Sequence, residues 1–325
     1  MALTNTEHGK AFEYACLTSL ASHISEHSEE GVIILESDAF RTAQAAFQKA
    51  QQEGLSEKLT RAADAASRVI LSLEPQLEYG DGNLNLVIQA DAQGIAGDVR
   101  DVVCIRNSRG WEIGISCKHN HHAVKHSRLS DTIDFGHEWF GINCSQTYFD
   151  TVVPIFTELR EMRDEAKRTG NPIPLWNNLP NKVERYYIPV LNAFLDELRR
   201  LANNNTDIPA KLIQYMLGRY DFYKVITDDD HETTRIEAIN IAGTLNRPAN
   251  GHRSRVDVHR LRLPTQFYHM GMVPDSNNKV VIACDGGWTL TMRIHNASSK
   301  IEPSLKFDVQ LVSLPNSIHA QVEPW

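Results

Sequence analysis

The stretch GDVRDVVCIRNSRGWEIGISCK, Gly97–Lys118, decides how the chain reads. Val102–Ile105 is β-branched or apolar, Asn107-Ser108-Arg109-Gly110 is turn chemistry, and Trp111–Cys117 alternates again, so the stretch predicts a two-stranded hairpin. In an antiparallel hairpin the start of the first strand lies beside the end of the second. Asp98 or Asp101 therefore comes close to Lys118. A carboxylate and a lysine at one end of a sheet can hold a hard divalent cation and polarise a water beside it, the core of metal-assisted phosphodiester hydrolysis. An ordinary salt bridge on a surface hairpin is the plainer reading of the same pair.

Spacing then limits the partners of Lys118. Strand alternation would put an acid two residues earlier on the same face, and that position is Ser116. Glu112 faces the same way but is roughly 20 Å from Lys118 along a strand, too far to share a metal. A second carboxylate must come from another element. The candidates are Glu13 on the opening helix, and Asp131, Asp134 or Glu138 from the segment after the hairpin.

Composition bounds what the rest can be. At 325 residues the chain has room for one large or two ordinary domains. Its 42% apolar and 23% charged content is that of a soluble globular protein. A formal net charge of -8 argues against nonspecific coating of nucleic acid and leaves room for a locally basic cleft. Five scattered cysteines without metal spacing exclude a disulfide framework, and the polar start MALTNTEHGK has no secretory segment. A reduced, cytoplasmic protein with no membrane span is the expectation.

Outward from the hairpin, HGKAFEYACLTSLASHI predicts a helix with Phe12, Ala15, Cys16, Leu20 and Ile24 on one stripe and Glu13 at its edge. Ser37–Leu73 predicts two helices broken near Glu53-Gly54, and Leu84–Ala90 a strand. After Lys118, HNHHAVKHSRLSD carries His119, His121, His122, His126, Lys125 and Arg128. The letters HNH are too few to name a nuclease motif, and no cysteine pair supports zinc. A basic edge suited to phosphates is the better account, with a solvated loop as its alternative.

Thr151–Thr169, Val183–Leu201 and Ile208–Tyr220 read as helices, the loop between the first two holding Trp176 as a packing anchor, and YDFYKVI reads as a strand. Asp228-Asp229-Asp230 lacks a calcium-loop pattern and reads as a turn. Arg247–Leu263 concentrates Arg253, Arg255, Arg260 and Arg262 in an acidic protein, which suggests a phosphate-facing surface or a basic solvated strand. KVVIACD, WTLTMRIHNA and SLKFDVQLVSL are three period-two runs, the first two joined at Asp285-Gly286-Gly287. Arg293 and His295 alternate outward there, beside Asn296 and Lys306, and arginine and lysine best supply donors to guanine O6 and N7.

The order predicts an α/β chain in the α+β sense: a mixed sheet flanked by helices, a helical middle and a β-rich C-terminal region. Residues 1–150 would hold the sheet core with its helical N-terminal part, and 151–325 the helical then β-rich remainder, as a second domain or continuous with the first.

The runs GDVRDVV, WEIGISCKHNHHAVKHSRLS, DFGHEWFGINCSQTYFD, NLPNKVERYYIPVLNAF, LGRYDFYKVI and RIHNASSKIEPSLKFDVQL resemble the HaeIII family of type II restriction endonucleases, over nearly the whole chain. The resemblance implies a Mg2+-dependent deoxyribonuclease that cuts double-stranded DNA at GGCC. It implies a cognate DNA methyltransferase as functional partner without direct contact, and the PD-(D/E)xK nuclease core. Within that pattern Asp101 matches the metal-binding aspartate, Lys118 the lysine and Glu13 the accessory helix glutamate. Ser116 departs from the acidic position, which leaves the second metal ligand open among Glu13, Asp98 and Asp134. A palindromic target suits a homodimer. DNA contacts would fall to Arg293, His295, Asn296, Lys306, Arg253, Arg255, Lys125 and Arg128. A DNA-repair or structure-specific nuclease could use the same core, and a noncatalytic DNA-binding module would explain the basic segments but not Asp101 beside Lys118.

Overall fold

A computed structural model describes residues 3–27, 31–90, 98–119 and 123–325. The chain forms two units, each with its own sheet. The first comprises 1–122, 218–262 and 316–325; the second comprises 123–217 and 263–315.

The first unit opens with α1 (Asn5–His27), whose expected stripe of Phe12, Ala15, Cys16, Leu20 and Ile24 is buried. β1 (Val32–Leu35) follows, then α2 (Asp38–Gln52), α3 (Ser56–Leu73) and the short α4 (Pro75–Tyr79). Ser37 caps α2 by accepting from Phe40 N, and Gly54, at φ 74°, makes the break between α2 and α3 where an L side chain would be strained. β2 (Leu84–Ile88), β3 (Val102–Arg106) and β4 (Trp111–His119) come next, and the latter two form the expected hairpin. Gly110 closes its turn at φ 57°.

The chain returns to this unit with β6 (Phe222–Asp228), β7 (Thr233–Ile239) and β12 (Ala320–Pro324). The sheet order is β1-β2-β3-β4-β6-β7-β12. β1 runs parallel to β2 and β4 parallel to β6, the other pairs being antiparallel, so the sheet is mixed. Val102, Cys104, Ile113, Ile115, Cys117, Tyr223, Val225, Ile236 and Ala238 lie in one core with the apolar faces of α1, α2 and α3. Strand alternation assigns the intervening residues, Ser116, Lys118 and Lys224 among them, to the other face.

The second unit has an antiparallel sheet, β5-β11-β10-β9-β8, built from β5 (Ala123–Leu129), β8 (Phe267–Met272), β9 (Lys279–Cys284), β10 (Thr289–His295) and β11 (Leu305–Ser313). Its helices are α5 (Phe135–Phe140), α6 (Gln146–Arg168), α7 (Ile188–Asn204) and α8 (Ile208–Leu217). Val280, Ile282, Leu290, Met292, Ile294, Leu305, Phe307 and Val309 point inward on alternate positions, and Phe307 packs on Phe194 of α7 with ring centroids 5.1 Å apart. Trp176 is buried and donates from Nε1 to Tyr187 Oη at 2.8 Å, as a packing anchor should.

The α+β plan holds, with three differences from the sequence reading. The segment after Lys118 is not a solvated loop: residues 123–129 form β5, while His121 and His122 lie outside the described residues. Arg247–Leu263 contains no strand and is an irregular stretch pinned by side chains, with Asn250 Nδ2 donating to Tyr79 O at 2.7 Å and His252 stacked on Tyr79. β1, β7 and β12 had no clear strand signature. β1 is a four-residue edge, and β7, TTRIEAI, mixes charge with apolar residues because it lies inside a sheet yet carries Arg235 and Glu237 on one face.

Candidate active site

Asp101 precedes β3 and is tied to β4 twice over. Its backbone N donates to Ile115 O at 2.8 Å, and its carboxylate Oδ2 accepts from Cys117 N at 2.7 Å, Lys118 Nζ at 3.2 Å and Ser116 Oγ at 3.3 Å. The hairpin thus brings an acid and a lysine seventeen positions apart into hydrogen-bonding reach, as antiparallel pairing requires. Ser116 is a supporting donor to that acid rather than a second acid.

Glu13 comes to this group from α1. It is 6% exposed, and Lys10 Nζ lies 3.0 Å from its Oε2. Burial, and next the charge of Asp101, push its pKa up to about 8 against the opposing pull of Lys10 and Lys118. Glu13 therefore holds its proton more tightly than an exposed carboxyl does. Burial works to lower the Lys118 pKa, but Asp101 first and then neighbouring groups including Glu13 outweigh it and hold the ammonium above its ordinary value. Lys118 is a fixed positive charge.

Among the described residues no three His, Cys, Asp or Glu side chains gather into a metal cage. Mg2+ does not ask for one: it keeps several waters and is held through one or two carboxylates and substrate phosphates. Two carboxyl groups close enough for one to add to the effect of burial on the other's pKa, with the donors to Asp101 converging on Oδ2, suit that mode, since a cation offsets the charge of Asp101 felt by Glu13. Asp101 and Glu13 are the residues that fit a hard cation.

The other acids singled out from the sequence are engaged elsewhere. Asp98 forks onto Arg100, Oδ2 to Nη2 at 2.7 Å and Oδ1 to Nε at 2.8 Å, and also accepts from Gln89 Nε2. Burial acts to raise its pKa and the Arg100 guanidinium lowers it further than burial lifts it. Arg100 also reaches Glu112, lies across Gly114 and stacks under Tyr220 with its Cζ 3.8 Å from the ring centre, so Asp98 and Glu112 belong to one buried clasp. Asp134 lies in the second unit and caps α5, accepting from His137 N and Cys144 N at 3.0 Å each. Asp131 pairs with Arg160, and Glu138 is exposed.

Lys224 on β6 went unremarked in the sequence. It pairs in register with Ser116, faces Glu237 of β7, and is 4% exposed. Burial lowers its pKa to about 8, Glu237 opposing and Lys118 adding to the fall. The signal available was one lysine inside the apolar run FYKVI, but only the parallel pairing of β4 with β6 puts it beside Ser116. His119 donates or accepts with Asp229 at 2.9 Å and stacks on His8, which gives the Asp228-Asp229-Asp230 turn a structural use.

Of the residues expected to meet DNA, Arg253 and Arg255 are exposed on the irregular stretch of the first unit. In the second unit Arg128 bonds Glu302 and Ser304, and Arg293 bonds Asp308. Lys306 is half-buried opposite His295. Asn296 is turned inward: its Nδ2 donates to Ser298 O and Lys300 O and its Oδ1 accepts from Glu302 N, closing the loop after β10. Lys125 joins β5 through its backbone, and its side chain lies outside the described part of the structure.

Comparison with known proteins agrees with this arrangement. The model of the family described as HaeIII restriction endonuclease matches residues 9–315. The Type II restriction enzyme HaeIII of Haemophilus aegyptius is 37% identical over 326 aligned positions, covering 100% of this chain and 99% of that protein. No solved structure gives a significant match. With Asp101 and Lys118 joined at the end of a mixed sheet and the likeness running the length of the chain, the protein belongs to the HaeIII family of restriction endonucleases, enzymes of site-specific DNA cleavage.

Proposed function

We propose that this enzyme hydrolyses both strands of double-stranded DNA at GGCC with Mg2+ as cofactor, at a centre made by Asp101, Lys118 and Glu13. The observation that carries the reading is the Asp101–Lys118 pair at 3.2 Å with the buried carboxyl of Glu13 beside it.

In this reading Asp101 and Glu13 hold the cation, which when bound neutralises charge on the scissile phosphate and makes a nearby water easier to deprotonate. Lys118, kept charged by Asp101, donates: its ammonium orients the attacking water or faces the phosphate oxygens on which charge accumulates. A lysine held protonated is poorly placed to take the proton, so proton acceptance falls to water or substrate phosphate. Cys117 N and Ser116 Oγ fix the Asp101 carboxylate, so the geometry stands before DNA arrives.

Arg253, Arg255, Arg128 and Lys125 supply phosphate contacts, and Arg293, His295 and Lys306 meet base edges or phosphates. GGCC reads the same on both strands, which suits two copies of the chain, one for each strand. A methyltransferase marking the same sequence protects the host DNA in the cytoplasm. Sequencing the ends of fragments from an unmethylated plasmid tests the specificity: cuts confined to GGCC support it, and cuts at another short sequence or only at branched or damaged DNA contradict it.

A further inference from the structure

The outer face of the second unit's sheet has an acid at its centre. β10 and β11 place Arg293 directly across from Asp308 and His295 across from Lys306, while Lys279 of β9 stands opposite Arg293 and Arg128 of β5 opposite Lys306. Thr291 and Gln310 continue the same face. Among the described residues, Arg293, Lys279, Lys306 and Arg128, the last paired with Glu302, lie around Asp308 with Thr291 and Gln310 on a surface whose reverse is the apolar core.

That carboxylate touches Arg293, the side chain on this face best suited to read a guanine, and the ring of His295. Asp308 Oδ2 accepts from Arg293 Nη2 at 2.6 Å and lies 3.2 Å from His295 Nε2. His295 Nδ1 is 2.9 Å from the carbonyl of Asn296, while its Nε2 is buried and makes no hydrogen bond among the described residues. The Asp308 side chain is only 17% exposed, and that of Arg293 is 51% exposed. The acid lies under the base, and the guanidinium projects from it. Such an exposed pair adds little to stability, yet it removes the rotational freedom an arginine would otherwise lose on meeting a guanine.

We infer that Asp308 is a specificity-determining positioning residue: its carboxylate aims the Arg293 guanidinium at the O6 and N7 edge of a guanine in the target. This rests on the reading that the outer face of the five-stranded sheet meets DNA. Asp308 itself, an acceptor, would be repelled by phosphate and satisfied by arginine, so its contribution is to hold the reader rather than to bind the backbone.

The test uses the full chain and short duplexes carrying the site mapped for the wild-type enzyme, together with the same duplex bearing each single base-pair change. Wild type, Asp308→Asn, Asp308→Glu and Arg293→Gln/Lys306→Gln are compared for kcat/KM on each duplex, salt dependence of binding and unfolding temperature. Asp308→Asn should keep the unfolding temperature and the salt slope while cleavage of changed sites gains on the original by about tenfold or more. Asp308→Glu, which keeps the charge but moves it outward, should fall between the two. Unchanged discrimination in both Asp308 variants, with discrimination lost in the double variant, overturns the role of Asp308 alone. A double variant with wild-type discrimination and salt slope overturns the DNA-facing sheet and the inference with it.

Discussion

Asp101 and Glu13 are two carboxyl groups in one centre with unequal settings, and their variants should fail differently. Asp101 carries the hydrogen bonds of Lys118, Cys117 N and Ser116, so Asp101→Asn removes both a cation ligand and the partner that fixes Lys118. Cleavage should fall by about 10³-fold or more with DNA binding kept, read by single-turnover rates beside filter binding. Glu13→Gln keeps a side chain of the same size at a buried position where burial already raises the carboxyl pKa to about 8. Its mark should be on the metal: the Mg2+ concentration for half-maximal rate should rise by about tenfold, and an unchanged metal titration would remove Glu13 from the cation site. Asp98→Asn separates the two neighbouring aspartates. It takes one of two carboxylates from a guanidinium whose side chain is only 5% exposed, leaving Glu112, so it should destabilise the protein by about 2 kcal/mol in urea while the Mg2+ requirement of the remaining folded enzyme stays put.

The junction of α3 and α4 holds a second buried acid that belongs to the fold. Glu74 accepts from Tyr223 Oη at 2.7 Å and Asn246 N at 2.6 Å on Oε1, while Oε2 is buried without a partner. Burial, outweighing those two donors, pushes its pKa up to about 8. The folded state then holds a proton that the unfolded chain releases near the ordinary glutamate value of 4.5, so stability falls as pH rises from about 4.5 to about 8 and levels off above. Glu74→Gln, which stays neutral, should flatten that slope and raise the urea midpoint at pH 9 while leaving it nearly unchanged at pH 5; equal effects at both pH values would show that the carboxyl ionises freely. The hairpin, α1 and the three C-terminal strands were legible because their signals are local: turn residues at 107–110 and 285–287, and alternation or a helical stripe between them. β5 was not, since AVKHSRL has no clean period-two alternation and looks like a basic segment until β11 pairs with it. Glu13 was legible as a candidate and not as a buried group, because its burial is set by where α1 rests.

At the scale of the molecule, the first sheet is assembled from distant parts of the chain. β6 and β7 return to it after β5 and the helices of the second unit, β12 after that unit's remaining strands, and β6 lies parallel to β4. No pattern in FYKVITD announces that partner, which is why Lys224 beside Ser116 could not be read from the sequence. What could be read was the chemistry of the hairpin, because Asp101 and Lys118 are brought together by a turn four residues long and owe nothing to distant pairing. The Ser116 departure likewise pointed away from the strand, and the structure has a buried carboxyl arriving from α1.

The most direct measurement is digestion of an unmethylated plasmid of known sequence with wild-type protein in Mg2+, with wild-type protein in EDTA, and with Lys118→Ala in Mg2+, each checked for folding and for DNA binding. The account predicts discrete fragments from the first reaction only, with the variant folded and still bound to DNA. The same fragments, at a comparable rate, from Lys118→Ala or in EDTA would contradict it and move the active centre away from the end of the hairpin.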